Sequence, residues 1–194
     1  MRVIQFVSGV AGFLIIAACV SAPENARMPA KLSSTLQLCG GTVISNAPRT
    51  NARRHIIGYY PETSVRGETL FRAPVNSCLS SAYGPRRGGA SGFHHGVDLY
   101  TRNPAPVYAG GDGVVKAAAR MRGYGHTIII RHRSGVETRY AHLSAYAPGI
   151  KPGARVRRGD YIGRTGKTGN ATAVHLHYEV LVDGRRYNPL TVGG

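Results

Sequence analysis

Short runs of β-branched and aromatic residues, separated by glycine, proline and aspartate, dominate the chain from about Gly67 onward. The runs occupy positions 105–109, 113–115, 127–131, 136–140, 161–162 and 174–182. Runs of this kind between turn residues are typical of strands joined by tight turns, and no helical periodicity of comparable length competes with them. The pattern predicts an all-β domain with a largely antiparallel sheet and short helices at most. The apolar run at 128–130 predicts a strand buried on both faces.

The chain divides into three regions by composition. Its 194 residues are enough for one domain and a tail. Residues 20–66 are polar, contain four prolines and show few periodic apolar stretches, so we expect at most one or two short strands there. We therefore predict a signal peptide at 1–18, a polar tether or pro-segment at 19–66, and the folded domain at 67–194.

The N-terminus predicts export. Arg2 precedes an apolar run at 9–20 that is too short to cross a bilayer and has the length of a signal-peptide core. The run ends in Ile-Ala-Ala-Cys19, which resembles the bacterial lipoprotein signal, in which the cysteine is acylated and becomes the new N-terminus. The alternative is plain cleavage after Ala22. We expect an exported protein of the periplasm or cell envelope, anchored to the membrane by a lipid on Cys19.

The two remaining cysteines are compatible with an oxidising compartment. Cys39 and Cys78 are an even pair once Cys19 is set aside, and they can form a disulfide. Two buried free thiols are the alternative. Neither residue belongs to a C-x-x-C motif, which disfavours a thiolate zinc site.

The chain is strongly basic. It has 25 Lys and Arg against 9 Asp and Glu, a formal net charge of +16. Such a charge attracts polyanions, whether nucleic acid, anionic lipid or a carboxylate-rich cell wall. No basic run alternates with aromatic residues as in nucleic-acid binders, and the export signal contradicts that role. We therefore expect no nucleic-acid partner.

Histidines form the main candidate site. His175 and His177 lie in an apolar strand pattern, so their side chains point to one face, roughly 6–7 Å apart. In the segment His94-His95-Gly-Val-Asp98, the outer two residues would be about 13 Å apart if extended. A bend at Gly96 is needed to bring them to one metal, and imidazole with carboxylate is a donor set that zinc uses in catalytic sites.

The other histidines carry less information on their own. His142, in Tyr-Ala-His-Leu, follows a predicted strand. His55, His126 and His132 fit no motif, and we assign them no role.

These motifs occur in the order seen in a known enzyme family. The segments are SSAYGPR (80–86), FHHGVDLYT (93–101), PVYAGGDGVV (106–115), GYGHTIIIRH (123–132), TRYAHLS (138–144), GDYIGRTGKTGNATAVHLHYEV (159–180) and the closing Asn188-Pro189. Across about 70–190, the sequence resembles the lysostaphin-like, or LytM-type, zinc metallopeptidases of bacterial cell walls. Two positions differ from many relatives: Ala173 stands where glycine is common, and Tyr83 replaces a frequent phenylalanine.

The resemblance implies a fold and a site. The fold is a β-sheet groove of the duplicated-hybrid-motif type. One zinc ion is expected on His94, Asp98 and His177, with the fourth position left for water, and His95 pointing away. His142 and His175 match the metal-free histidines that assist catalysis, in roles that the sequence leaves open.

The resemblance also implies hydrolysis of peptide cross-links in peptidoglycan, through stem peptides or cross-bridges. The alternative is a non-hydrolytic envelope lipoprotein that uses the groove to bind peptidoglycan or to activate a partner amidase. The N-terminal segment is either a flexible tether or an inhibitory cover of the groove.

Overall fold

A computed structural model describes residues 32–41, 44–86 and 92–193. The predicted signal peptide and Cys19 lie outside these residues. The described part of the chain contains fifteen strands and no helix. In chain order the strands are β1 (Glu62–Val65), β2 (Glu68–Phe71), β3 (Cys78–Ser81), β4 (Gly84–Pro85), β5 (Phe93–His94), β6 (Val97–Tyr100), β7 (Pro106–Tyr108), β8 (Gly113–Met121), β9 (Gly125–Arg131), β10 (Val136–Leu143), β11 (Ala145–Tyr146), β12 (Arg155–Val156), β13 (Tyr161–Arg164), β14 (His175–Val182) and β15 (Arg185–Tyr187).

One large sheet organises the molecule. Its strand order is β12-β8-β9-β10-β14-β6-β3, and β15 pairs with the end of β14. A three-stranded sheet (β11-β13-β7) and the two hairpins β1-β2 and β4-β5 complete the fold. Every pairing between these strands is antiparallel, which confirms the predicted all-β class.

The two faces of the large sheet have different roles. One face carries the apolar core, where Ile128, Ile130, Tyr140 and Tyr178 are fully buried. Ile129 points the other way and is also buried, so the predicted burial of this run on both faces is confirmed. Side chains alternate along a strand, and the register of β14 with β6 therefore brings the polar residues of both strands together on the face opposite the core.

The N-terminal segment is attached to the domain. Leu36 is buried in the core, and Leu38 forms a parallel bridge with Leu79 of β3. Cys39 and Cys78 form a disulfide. The turn between β1 and β2 falls at the expected boundary, between residues 66 and 67.

The β1–β2 hairpin spans the expected boundary between tether and domain. A hairpin cannot be divided at its turn, so the folded part begins N-terminal to residue 67. The sequence concealed this because the segment is held by single buried side chains and short backbone bridges, which leave no periodic pattern. No helix within the described residues has the length and apolar character to span a membrane.

Candidate metal centre

Three polar side chains converge where β5, β6 and β14 meet. Asp98 of β6 is the register partner of His177 of β14, so both side chains project from the same face of the sheet. His94 ends β5, and the chain turns at Gly96 before β6 begins. A Cβ at position 96 would collide with the carbonyl oxygen of Tyr178. The turn predicted at Gly96 is thus present, and it needs glycine because the backbone there lies directly against β14.

The three potential ligand atoms form a small triangle. His94 Nε2 is 3.1 Å from Asp98 Oδ1 and 3.0 Å from His177 Nδ1, and His177 Nδ1 is 2.9 Å from Asp98 Oδ1. A tetrahedral zinc about 2.0–2.1 Å from each ligand atom separates those atoms by about 3.3 Å. The described residues therefore fit a zinc ion after an outward shift of a few tenths of an ångström.

Hydrogen bonds fix which nitrogen of each imidazole faces the triangle. His94 Nδ1 donates to the carbonyl of Ala82 at 2.8 Å, which leaves Nε2 as the ligand atom. His177 Nε2 donates to Glu179 Oε1 at 3.1 Å, which leaves Nδ1. Arg86 Nη2 donates to the second carboxylate oxygen of Asp98 at 3.0 Å, so that Oδ1 remains available.

The electrostatics of the triangle favour a bound cation. Burial alone would raise the pKa of Asp98, but hydrogen bonds from His177 and His94 hold it well below its usual range. Burial alone would lower the pKa of His177, but its hydrogen bonds to Asp98 and Glu179 raise it to about 9. The triangle thus holds a carboxylate and an extra proton at neutral pH, and a metal ion that binds there displaces the proton.

Two further histidines adjoin the triangle without joining it. The ring centre of His142 lies 4.8 Å from that of His175 and 5.8 Å from that of His177. His175 Nδ1 donates to the carbonyl of Ala173 at 2.9 Å, and its Nε2 is 3.6 Å from Asp98 Oδ1. All five residues singled out in the sequence therefore meet in one place.

His142 sits in an unusual backbone conformation. The register of β10 against β9 shifts between Tyr140 and Leu143, and His142 has a φ of 61°. A left-handed φ is uncommon for a residue other than glycine and clusters at functional sites. Nδ1 of the ring donates to the carbonyl of Thr168 at 2.8 Å. Burial lowers the pKa of His142 to about 4, so the ring is neutral at physiological pH with Nε2 unprotonated.

Sequence reasoning missed the groups behind the triangle. Glu179 is fully buried and accepts hydrogen bonds from His177, Tyr124, Arg139 and Arg186. Burial alone would raise the pKa of Glu179, but the hydrogen bond and charge of His177, together with the charge of Arg139, lower it to about 2. The sequence did contain a signal for Glu179, because a carboxylate two residues after His177 on a strand must lie on the same face as His177.

The histidines without an assigned role lie elsewhere. His132 is buried, donates through Nδ1 to the carbonyl of Asp112 and contacts Thr138 Oγ1 at 2.8 Å through Nε2. His126 packs against the ring of Tyr146. His95 is exposed, and its ring lies tilted beside that of Phe93, with 5.1 Å between the ring centres, in keeping with the expectation that it points away from the metal.

Comparisons with known proteins agree with this geometry. The model of a family described as Peptidase family M23 matches residues 92–189, a range that includes all five site residues. The DD-carboxypeptidase/endopeptidase Mpg of Neisseria meningitidis serogroup B is 44% identical over 100 residues, 52% of this chain and 23% of that protein. The peptidoglycan DD-endopeptidase ShyC of Vibrio cholerae is 40% identical over 140 residues, 69% of this chain and 32% of that protein. The chain thus spans less than half the length of either curated relative.

Solved structures share the fold. A zinc-containing peptidase from Vibrio cholerae superposes with a TM-score of 0.58 at 30% identity, covering 69% of this chain and 45% of that one. The catalytic domain of lysostaphin from Staphylococcus simulans superposes with a TM-score of 0.54 at 32% identity, covering 59% of this chain and 90% of that one.

Proposed function

This chain belongs to peptidase family M23, and we propose that it is a zinc metalloendopeptidase that hydrolyses the peptide cross-links of bacterial peptidoglycan. The similarity to a peptidoglycan DD-endopeptidase supports the substrate class. The observation that carries the proposal is the triangle of His94, Asp98 and His177, with ligand atoms 2.9–3.1 Å apart beside two further histidines.

His94 Nε2, Asp98 Oδ1 and His177 Nδ1 would hold the ion. Bound zinc supplies a Lewis acid that polarises a peptide carbonyl and lowers the pKa of water. Two imidazoles and one carboxylate leave such a centre with a net positive charge.

We assign His142 as the proton acceptor. Its Nδ1 is bonded to Thr168, so Nε2 carries the only free lone pair of the ring. When the water oxygen attacks the carbonyl carbon, Nε2 takes a proton from that water. The same nitrogen returns the proton to the leaving amine as the carbon–nitrogen bond breaks.

His175 suits the complementary role. Its Nδ1 is bonded to the carbonyl of Ala173, and its Nε2 lies 3.6 Å from Asp98 Oδ1. This nitrogen lies beside the triangle, where an N–H at Nε2 would donate a hydrogen bond to the oxyanion that develops on the carbonyl oxygen.

The basic surface suits an acidic substrate. Stem peptides of peptidoglycan carry free carboxylates, and a net charge of +16 raises their concentration near the protein. The exposed residues Arg131 and Arg155 occupy the same row of the large sheet as Glu137 and Leu181, on the face that carries the triangle. Part of the charge is therefore on the substrate side.

We further propose that the protein acts outside the cytoplasm as a lipoprotein anchored through Cys19. Its relatives are named as peptidoglycan enzymes, whose substrate is extracytoplasmic. Intact-mass measurement of membrane-extracted protein tests the anchor. The expected result is acylated Cys19, and a mature N-terminus at Pro23 would contradict it.

The central experiment is muropeptide analysis. Purified peptidoglycan is incubated with the full-length chain in detergent, with zinc, with chelator, and with the Asp98→Ala variant. Loss of cross-linked dimers that requires both zinc and Asp98 is the expected result. Intact cross-links on walls of several chemistries would favour the alternative of a non-hydrolytic lipoprotein. The next experiment would then look for a partner amidase.

A further inference from the structure

Glu179 lies behind the triangle, and both oxygens of its carboxylate accept hydrogen bonds. Its carboxylate is completely buried. The residue lies in the middle of β14, two positions after His177. Each carboxylate oxygen has its own two hydrogen-bond donors. Oε1 accepts from His177 Nε2 at 3.1 Å and Tyr124 Oη at 2.8 Å, while Oε2 accepts from Arg139 Nη1 at 2.7 Å and Arg186 Nε at 3.1 Å.

We propose that Glu179 is a positioning residue that acts through His177: it holds the ring so that Nδ1 is the atom presented to the metal. This inference rests on the proposed function, in which the triangle binds a metal. Nothing in the family assignment or in the names of the relatives gives this residue a role.

The geometry of β14 places the carboxylate beside the ring. His177 and Glu179 point to the same side of β14, so the carboxylate lies along the strand from the ring and meets Nε2. Nδ1 then faces the opposite way, 2.9 Å from Asp98 Oδ1 across the β6–β14 pairing. A ring turned by half a revolution would lose both contacts. A carboxylate on the far nitrogen also makes an imidazole a stronger donor to metal.

The arginines fix Glu179 rather than compete with the histidine. Both guanidinium contacts are made to Oε2, so Oε1 keeps a lone pair for His177. Tyr124 Oη donates to the same Oε1 and accepts from Arg139 at 3.0 Å. The carboxylate therefore has no freedom to rotate away from the ring.

A conservative substitution separates positioning from a merely structural role. Glu179→Gln keeps the shape and removes the charge. The matched control is Glu137→Gln on neighbouring β10, because Glu137 is also an ion-paired glutamate, 2.7 Å from Lys116. Since Glu179→Gln leaves two guanidinium groups with less neutralisation, the double variant Glu179→Gln/Arg139→Gln, which removes one positive charge as well, is measured beside it.

Two readouts are used on the full-length chain. Zinc affinity is measured by competition with a chromophoric chelator, and nitrogen-15 spectra of the histidine rings in the zinc-loaded protein report which nitrogen of His177 carries the proton. We expect a 10- to 100-fold weaker zinc affinity for both Glu179 variants and wild-type affinity for Glu137→Gln. In the wild-type spectra we expect a protonated, hydrogen-bonded Nε2 on His177.

The outcomes distinguish this inference from the proposed function. Wild-type zinc affinity in both Glu179 variants, or a wild-type His177 that carries its proton on Nδ1, overturns the positioning role while the metal site stands. A wild-type chain that binds no zinc overturns the proposed function itself. If Glu179→Gln does not fold, the double variant and the wild-type spectra still decide the question.

Discussion

The imidazole of His142 is bonded through Nδ1 to the carbonyl oxygen of Thr168 across 2.8 Å, on a residue whose φ is 61°. Nδ1 is thereby held in a hydrogen bond within the protein, and Nε2 is left free. The left-handed backbone of His142 lies within an irregularity of β10, and the ring lies next to those of His175 and His177.

The metal-binding and proton-transfer roles should separate by mutation. His177→Ala removes a ligand atom, and we expect loss of both zinc and activity. His142→Ala leaves all three ligand atoms in place, and we expect stoichiometric zinc with activity reduced by about 100-fold or more. Metal analysis by mass spectrometry and muropeptide release measure the two properties. Stoichiometric zinc in His177→Ala would refute the ligand assignment.

The backbone at His142 predicts an unusual pattern of tolerance. Asparagine adopts left-handed φ values readily, whereas a β-branched residue there is a strong outlier. We expect His142→Asn to keep the free energy of unfolding within about 1 kcal/mol of wild type, and His142→Val to lower it by a further 1–3 kcal/mol or so. Urea unfolding measures both, and equal stability of the two variants would argue against strain at this site.

The lowered pKa of His142 predicts a pH dependence of stability. An unfolded histidine titrates near 6.5, whereas burial lowers the pKa of His142 in the folded protein to about 4. Between these values the unfolded chain binds the proton and the folded chain does not, so this residue's contribution falls as the pH decreases from 6.5 to 4. Urea titrations of metal-free protein should show a shallower decline in His142→Asn than in wild type. Parallel curves would contradict the assignment.

Gly96 provides a test of the turn that closes the triangle. A Cβ there would collide with the Tyr178 carbonyl and would lie 3.0 Å from both Glu179 Cγ and His177 Cε1. We expect Gly96→Ala to lower both zinc affinity and thermal stability. Gly92→Ala is the control, since no atom of the described residues lies within 4 Å of a Cβ at position 92. A Gly96→Ala variant with the zinc affinity and thermal stability of this control would show that the loop can shift to accommodate the Cβ.

The disulfide should contribute substantially to stability. Cys39 and Cys78 are separated by 39 positions, and closing a loop of that size restricts the unfolded chain by about 2–4 kcal/mol. The Cys39→Ser/Cys78→Ser variant should therefore have a lower free energy of unfolding and be insensitive to reductant. If reductant lowers the stability of wild type and variant equally, the bond is not the cause.

The long central strands could be predicted from the sequence for physical reasons. The runs at 127–131, 136–140 and 174–182 are long enough to show apolar patterning, and they correspond to β9, β10 and β14. Strands of two residues, such as β4, β5, β11 and β12, have no periodicity to detect. Their positions depend on partners that are distant in the chain.

The same contrast holds within the site. His175 and His177 could be placed together by alternation along one strand, whereas the meeting of His94 with Asp98 depended on a bend that Gly96 permits but does not require. The roles of Arg86 and Glu179 were missed because each depends on several contacts between strands that only the fold brings together.

The bridge between Leu38 and Leu79 also bears on how molecules of this protein behave beside one another. Backbone hydrogen bonds from Cys39 to Leu79 and from Leu79 to Gln37 occupy the outer edge of β3. At the opposite end of the large sheet, β12 is only two residues long and begins with the exposed Arg155. A short, charged edge and a covered edge both discourage pairing with a second chain. The large sheet therefore resists edge-to-edge aggregation, and the disulfide beside Leu38 keeps one of these protections in place.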